Sequence, residues 1–315
     1  MSEKPLEGDV LLELRHVRKS YGDFLAVRDV SFRALRGQMF GFLGPNGAGK
    51  STTMRMIAGI LEPSSGEIAL FGAPINRAAL MRTGYLPEER GIYKAMTPRA
   101  VIAYFAQLKG VDATTAHKRA DAMLERYGLK EWGRQKVKKL SKGMAQKVQL
   151  LASIAHEPEF VIFDEPFSGL DPVNQQTLED ILLDLKARGC TILFSTHVME
   201  HAERLCDHIV LIAKGQKMFD GDVASAMALA PQSVLVATEE SFDLPRFARE
   251  NGFAAERNGA GYKIGAADAQ GTRRLLSGLV AAGAPLTRFE PSRPQLRDVF
   301  VRLVEGQAAP SAKGA

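Results

Sequence analysis

Cysteine is scarce in this chain of 315 residues: Cys190 and Cys206 are its only two. Two thiols so placed build no disulfide framework and have no metal-ligand spacing, so free thiols in a reducing cytosol are the simplest reading. Long apolar runs are missing too. No stretch of about 18 apolar residues occurs, so the chain is not expected to span a membrane itself. The amino end, MSEKPLEGDV, lacks the apolar core of a signal peptide. Charge imbalance is also small: a net +5 is too mild to imply a nucleic-acid partner by itself. What remains, 45% hydrophobic and 24% charged residues, is ordinary for a soluble globular protein. The length suffices for two or three compact units.

One stretch stands out, Met39 to Leu61, MFGFLGPNGAGKSTTMRMIAGIL. It opens as a buried strand, Met39 to Leu43, and continues as a helix with Met54, Ile57, Ala58 and Leu61 on one face. Between them lies Gly44-Pro45-Asn46-Gly47-Ala48-Gly49-Lys50-Ser51-Thr52, the pattern of a glycine-rich loop that cradles phosphates. Glycine lets the loop backbone wrap an anion, so successive N–H groups and the positive helix end aim at the same phosphates. Lys50 adds a point charge for the β and γ phosphates, and Ser51 a hydroxyl for Mg²⁺.

Around this stretch the pattern alternates. Strands are expected from Leu11 to Val17, closed by a turn at Lys19 to Gly22, and then at Phe24 to Phe32, Glu67 to Phe71 and Thr83 to Leu86. A polar segment through Arg90 leads to Pro98, which opens a mostly helical region reaching about Ala155. Apolar strands return at Phe160 to Phe163, Thr191 to Phe194 and His208 to Ile212, with a helix carrying Leu178, Ile181, Leu182 and Leu185 between the first two. Strand and helix alternation of this kind predicts a parallel sheet covered on both faces, with the short strands flanking the loop forming an antiparallel layer. Past a short helix and Pro231, the order βαββαβ suits a small ferredoxin-like α+β domain. An amphipathic helix with Leu296, Val299, Phe300 and Leu303 in register closes it. The expected boundaries are 11–221 for the first domain, with a helical subdomain at about 98–155, then 232–305, and a disordered tail at 306–315.

Two further clusters bear on chemistry. Asp164 ends a buried strand, where a carboxylate can hold Mg²⁺ opposite Ser51, and Glu165 can orient and deprotonate a water attacking a γ-phosphate. In Leu140-Ser141-Lys142-Gly143-Met144, Ser141 can cap the helix that follows and create a second anion site, although an ordinary cap explains it as well. Between Leu108 and Lys147, eleven Lys or Arg face four Asp or Glu. A solvated helical face is the plain reading, and a docking surface for phosphates or an acidic partner the alternative.

Taken in order, these motifs resemble the nucleotide-binding subunit of an ATP-binding cassette (ABC) transporter, over about Leu11 to Gly221. GPNGAGKST matches the family's Walker A loop, FVIFDEP its Walker B strand and Ser168-Gly169-Leu170-Asp171 the loop after it. The resemblance implies a P-loop NTPase core with an antiparallel β subdomain and a helical subdomain, ATP and Mg²⁺ as cofactors, and Mg²⁺-dependent ATP hydrolysis. It also implies that Tyr21 stacks on adenine and that His197, otherwise a capping or core histidine, is the switch residue at the γ-phosphate. Two subunits would face head to tail, so Ser141, Lys142, Gly143, Met144 and Asp171 would act on ATP held by the partner, a second copy or a related chain. A separate membrane permease would be the other partner, placing the protein on the cytoplasmic face of the cell membrane. Lys142 and Met144 replace the usual Gly and Gln. Glu88 stands where a glutamine usually touches Mg²⁺, which adds charge and loses an amide donor. The tail domain and LPEERGIY resemble a bacterial exporter-type branch. Two other functions are weighed: a cytosolic cassette ATPase serving DNA repair or translation, and a nucleotide-sensing regulator. The long coiled-coil insertions and second cassette of the former are missing here.

Overall fold

The computed structural model describes residues 10–308 except 90, 231, 267, 293 and 294. The segment Met1 to Asp9 read for a leader, Arg90, the boundary residue Pro231 and the tail from Ala309 onward lie outside the described residues. The chain divides into two units, Met1–Asp222 and Val223–Ala315.

In the first unit, β1 (Val10–Tyr21) and β2 (Phe24–Leu35) form a long antiparallel hairpin. β1 runs through the residues expected to turn, because Ser20 and Tyr21 pair with Leu25 and Phe24, and the reversal falls at Gly22 and Asp23. β3 (Met39–Leu43) and α1 (Lys50–Ile57) follow. α1 stops short of Leu61, yet Ala58 and Leu61 still pack, partly buried, on the same core as Met54 and Ile57. Next come β4 (Ser65–Leu70), β5 (Ala73–Pro74), α2 (Arg77–Met81) and β6 (Thr83–Leu86). The helical segment contains α3 (Pro98–Leu108), α4 (Ala113–Arg126) and α5 (Lys142–Ile154), with two 3-10 turns between the last two. β7 (Phe160–Phe163), α6 (Pro172–Ala187), β8 (Thr191–Thr196), α7 (Met199–Leu205), β9 (His208–Ala213) and β10 (Gln216–Asp222) complete the unit. Thr97, Asp112, Ser141 and Asp171 start α3, α4, α5 and α6: each side chain accepts the N–H three residues on, satisfying a donor the helix cannot.

The strands form one sheet in the order β5-β4-β1-β2-β10-β9-β3-β8-β7-β6. β9, β3, β8, β7 and β6 run parallel, and the antiparallel β1, β2, β4 and β5 join them where Asp29 of β2 pairs with Gln216 of β10. Side chains alternate between two cores. Phe160 and Ile162 of β7 join Phe40, Phe42, Met54 and Ile57, whereas Val161 and Phe163 join Val101, Leu151, Ile181 and Phe194. Burying a side chain of this size contributes about 1.5–3 kcal/mol. With both faces so filled, the central strands cannot slip, and their carboxyl ends are fixed along one edge, where α/β sheets hold ligands.

Cys190 and Cys206 are free, and burial pushes both thiols up, Cys190 to about 12. Lys109 is partly buried: its Nζ donates to the carbonyls of Leu80 (2.6 Å) and Thr83 (3.0 Å), with His156 Nε2 3.3 Å from the latter. Burial drives the His156 imidazole down to about 4, and the charges of Lys109 and Arg119 push the same way. Its folded value thus lies below that of the unfolded chain, about 6.5. The stability gained by keeping it neutral is present above about pH 6.5 and drains away as pH falls toward 4. Replacing His156 by Gln, which still offers a donor to the Thr83 carbonyl, is expected to flatten this acid limb by on the order of 2–3 kcal/mol in urea unfolding. Parallel acid limbs for the two proteins would contradict it.

The second unit opens with α8 (Val223–Met227) and then alternates β11 (Ser233–Thr238), α9 (Leu244–Glu250), β12 (Ala255–Asn258), β13 (Gly261–Gly265), α10 (Ala269–Ala281) and β14 (Leu286–Ser292). The sheet order β12-β13-β11-β14, antiparallel throughout, is that of a ferredoxin-like domain. The sequence pattern predicts a strand from Phe253 to Arg257, yet Phe253 closes the turn after α9, its N–H bonded to the Ala248 carbonyl and its ring buried in the core with Val234, Val236 and Leu279. α11 (Leu296–Ala308) takes in Gly306, where the tail was expected to begin.

Candidate functional site

β3 ends at Leu43 and the chain must turn at once. A Cβ on Gly44 would come within 2.2 Å of the Ile212 carbonyl, so only glycine fits, and Gly49, at φ 100°, holds the left-handed position that starts α1. The Gly44 N–H bonds to the Thr196 carbonyl at 3.3 Å, tying the loop to the end of β8. Lys50, only 5% exposed, folds back into this loop: Nζ donates to the carbonyls of Gly44 (2.8 Å) and Pro45 (3.1 Å). It also lies 3.1 Å from Glu165 Oε1, an ion-pair contact outside hydrogen-bond geometry.

The carboxylates arrive from β7. Ser51 Oγ donates to Asp164 Oδ1 at 3.1 Å and Ser195 Oγ to the same oxygen at 2.7 Å. Burial pushes the Asp164 carboxyl above its ordinary value; the two serine hydrogen bonds oppose this and the Glu165 charge adds to it. Glu165, 6% exposed, sits at φ 48°, a left-handed conformation that costs a non-glycine residue roughly 1–2 kcal/mol. The bend sets its carboxylate between Lys50 and His197, whose Nδ1 lies 2.9 Å from Oε2. His197 keeps about half its side chain in solvent.

Thus Lys50, Ser51, Asp164, Glu165 and His197 meet at one point, at the ends of β3, β7 and β8. The loop and helix start offer donors to phosphate oxygens, and Glu165 offers an acceptor for a water proton. The site also suits Mg²⁺. Asp164 Oδ2 is buried without a hydrogen-bond partner beside the Ser51 hydroxyl. Among the described residues no cluster of three or more His, Cys, Asp or Glu could hold a metal ion. An ion there would be held by Ser51 and Asp164, with phosphates and water completing its shell.

The other residues expected at the site stand on separate elements. Tyr21 is 49% exposed at the β1 to β2 hairpin, with the Lys19 ammonium 5.6 Å from its ring centroid. Glu88 is exposed, two residues beyond Leu86, whose carbonyl accepts the Asp164 N–H at 2.9 Å. Ser141 and Lys142 are exposed, and the Ser141 hydroxyl accepts the Met144 N–H at 3.2 Å within its own helix. Gly143 lies against the Asn174 amide, and Asn174 in turn donates to Asp171 through its backbone (3.0 Å) and side chain (2.5 Å). These bonds hold the Asp171 carboxyl below its usual range. Two participants escape a reading by motif. Gln146 donates to the Pro166 carbonyl at 2.9 Å, linking α5 to the loop after Glu165. Ser195 bonds to both Asp164 and the Glu165 amide; its only trace in the sequence is a hydroxyl closing an apolar strand.

Residues 27–168 match the protein family described as ABC transporter. Over 296 residues the chain is 38% identical to the ABC transporter ATP-binding protein YhaQ of Bacillus subtilis (strain 168), covering 93% of this chain and 98% of that one. It is 39% identical over 214 residues to the Nod factor export ATP-binding protein I of Cupriavidus pinatubonensis (strain JMP 134 / LMG 1197), covering 67% of this chain and 66% of the relative. A solved structure of an ATP binding subunit of an ABC transporter superposes with a TM-score of 0.64 at 32% identity, over 69% of this chain and 91% of that one. With the phosphate loop, the two carboxylates and the sheet order above, these likenesses place the chain in the ABC transporter family, as an ATP-binding subunit.

Proposed function

We propose that this subunit hydrolyses Mg²⁺-ATP while paired head to tail with a second copy, and that the cycle drives export through a separate membrane permease. One observation carries the paired arrangement. The loop, Asp164, Glu165 and His197 are drawn together within one chain, whereas Ser141 and Lys142 sit exposed at the start of α5, a capped helix end with anion-binding character. In this reading the exposed α5 end of a partner closes over a phosphate held on the loop.

In this reading the Walker A amides, Lys50 and the α1 start hold the phosphates, Ser51 and Asp164 hold Mg²⁺ with Glu88 nearby, and Tyr21 receives the adenine. Glu165 takes the proton of the attacking water, and His197 orients Glu165 and reaches the γ-phosphate. Ser141, Gly143 and Asp171, with Lys142 and Met144 beside them, close over the partner's ATP. Mg²⁺ supplies charge neutralisation at the phosphates. Most of the rate would come from positioning and fixed charge rather than covalent chemistry. Among the described residues no helix is long and apolar enough to cross a membrane; in this reading the membrane path belongs to another chain, with the subunit at the cytoplasmic face. Export is supported by the likeness to the Nod factor export ATP-binding proteins.

Dilution tests the pairing. Below the dimerisation constant, hydrolysis is expected to rise with about the square of protein concentration, since the dimer fraction itself grows with concentration. A strictly linear dependence down to well-dissociated monomer would sink the shared site.

A further inference from the structure

Ser195 has no exposed surface, and its hydroxyl bonds to both carboxylate residues. A serine hydroxyl has one hydrogen and two lone pairs. Here the hydrogen goes to Asp164 Oδ1 at 2.7 Å, and a lone pair takes the Glu165 N–H at 2.9 Å. Buried serines often bond to nearby backbone groups. This one reaches across from β8 to the end of β7, in a register set by the pairing of Phe163 with Phe194 and of Phe42 with Ser195.

The two bonds have separate consequences. Asp164 Oδ1 is saturated by Ser195 and Ser51, which turns the unpartnered Oδ2 into the free oxygen. The bond to the Glu165 amide holds a residue at φ 48°, and it is that bend which sets the carboxylate between Lys50 and His197. We propose that Ser195 is a positioning residue for ATP hydrolysis, one hydroxyl fixing both which Asp164 oxygen is presented and where Glu165 points. This rests on the roles given above to Asp164 and Glu165.

The experiment compares full-length wild type, Ser195→Ala, Ser195→Thr and Glu165→Gln. Steady-state kinetics are read beside Mn²⁺ affinity of the ATP complex by electron paramagnetic resonance, metal-free binding of a fluorescent ATP analogue, and melting temperature. Loss of a bond behind a metal ligand typically costs about 10–100-fold in activity or metal affinity. Ser195→Ala is therefore expected to lower kcat and weaken Mn²⁺ binding within that range, with KM for ATP and metal-free nucleotide binding changed less than about threefold. Ser195→Thr, which restores the hydroxyl, is expected to recover kcat to within about threefold. Should the alanine variant fail to fold, Ser195→Cys, close in size and a weak hydrogen-bonding partner, carries the same comparison. A lowered melting temperature with unchanged kcat and Mn²⁺ affinity would overturn the proposal and leave a structural serine. If Ser195→Ala is fully active while Glu165→Gln is dead, the positioning role falls and the hydrolysis assignment stands. A fully active Glu165→Gln would bring down the assignment itself.

Discussion

Replacing Glu165 by glutamine lowers ATP turnover by about 10²–10⁴-fold, the usual worth of a positioned general base, and leaves ATP bound in a closed dimer. The substitution keeps the shape and both heteroatoms of the side chain while removing its basicity. The φ 48° bend and the Ser195 bond to the residue 165 amide are backbone features, so the side chain still arrives between Lys50 and His197. Binding survives because the phosphate contacts belong to the loop, α1 and Lys50. Once Glu165 no longer carries a charge, Lys50 loses its ion-pair partner and its ammonium is freer to serve the phosphates. The checks are phosphate release under saturating Mg²⁺-ATP and the elution volume of the protein with retained nucleotide. Wild-type turnover by this variant would remove Glu165 from the mechanism.

Ser141→Asp is expected to cost at least about 100-fold in turnover while leaving the fold intact. Aspartate is as good a helix cap as serine and accepts the same Met144 N–H, so α5 should start where it does now. Only the charge presented at the exposed helix end changes. Facing a partner's γ-phosphate, an added carboxylate repels where a hydroxyl would donate, and the dimer should fail to close. The melting temperature of the isolated chain should stay within a few degrees of wild type, and size-exclusion chromatography with ATP should show monomer. A variant that hydrolyses ATP normally would mean that Ser141 meets no phosphate, and with it the trans role of α5 would go. Gln146 ties α5 to the Pro166 carbonyl, next to Glu165 in the chain.

Much of the architecture is legible in the sequence because it is written in short-range chemistry. The strand at Met39 to Leu43 is a continuous apolar run, which only a strand covered on both faces tolerates, and the glycines after it announce a backbone that must pass close to an anion. Pro98 and Ser141 do the same for helices, each standing at a start the structure keeps. Local signals misplaced boundaries where hairpin pairing or core burial outweighed them. Lys19 to Tyr21 look like a turn but are held in β1 by Leu25 and Phe24. Phe253 looks like a strand residue but is worth more as a buried plug behind α9.

By itself the sequence determined the order of elements, the phosphate loop, the strand-end carboxylates and the βαββαβ tail, since each depends on residues within a turn or two of one another. Tertiary structure alone decided that Lys50 lies against Glu165, that His197 meets the same carboxylate, and that Ser195 stands beneath both acids. Those contacts join the ends of β3, β7 and β8, strands separated by helices and dozens of residues. No local period records them, because what brings them together is the burial of two cores on opposite faces of one sheet.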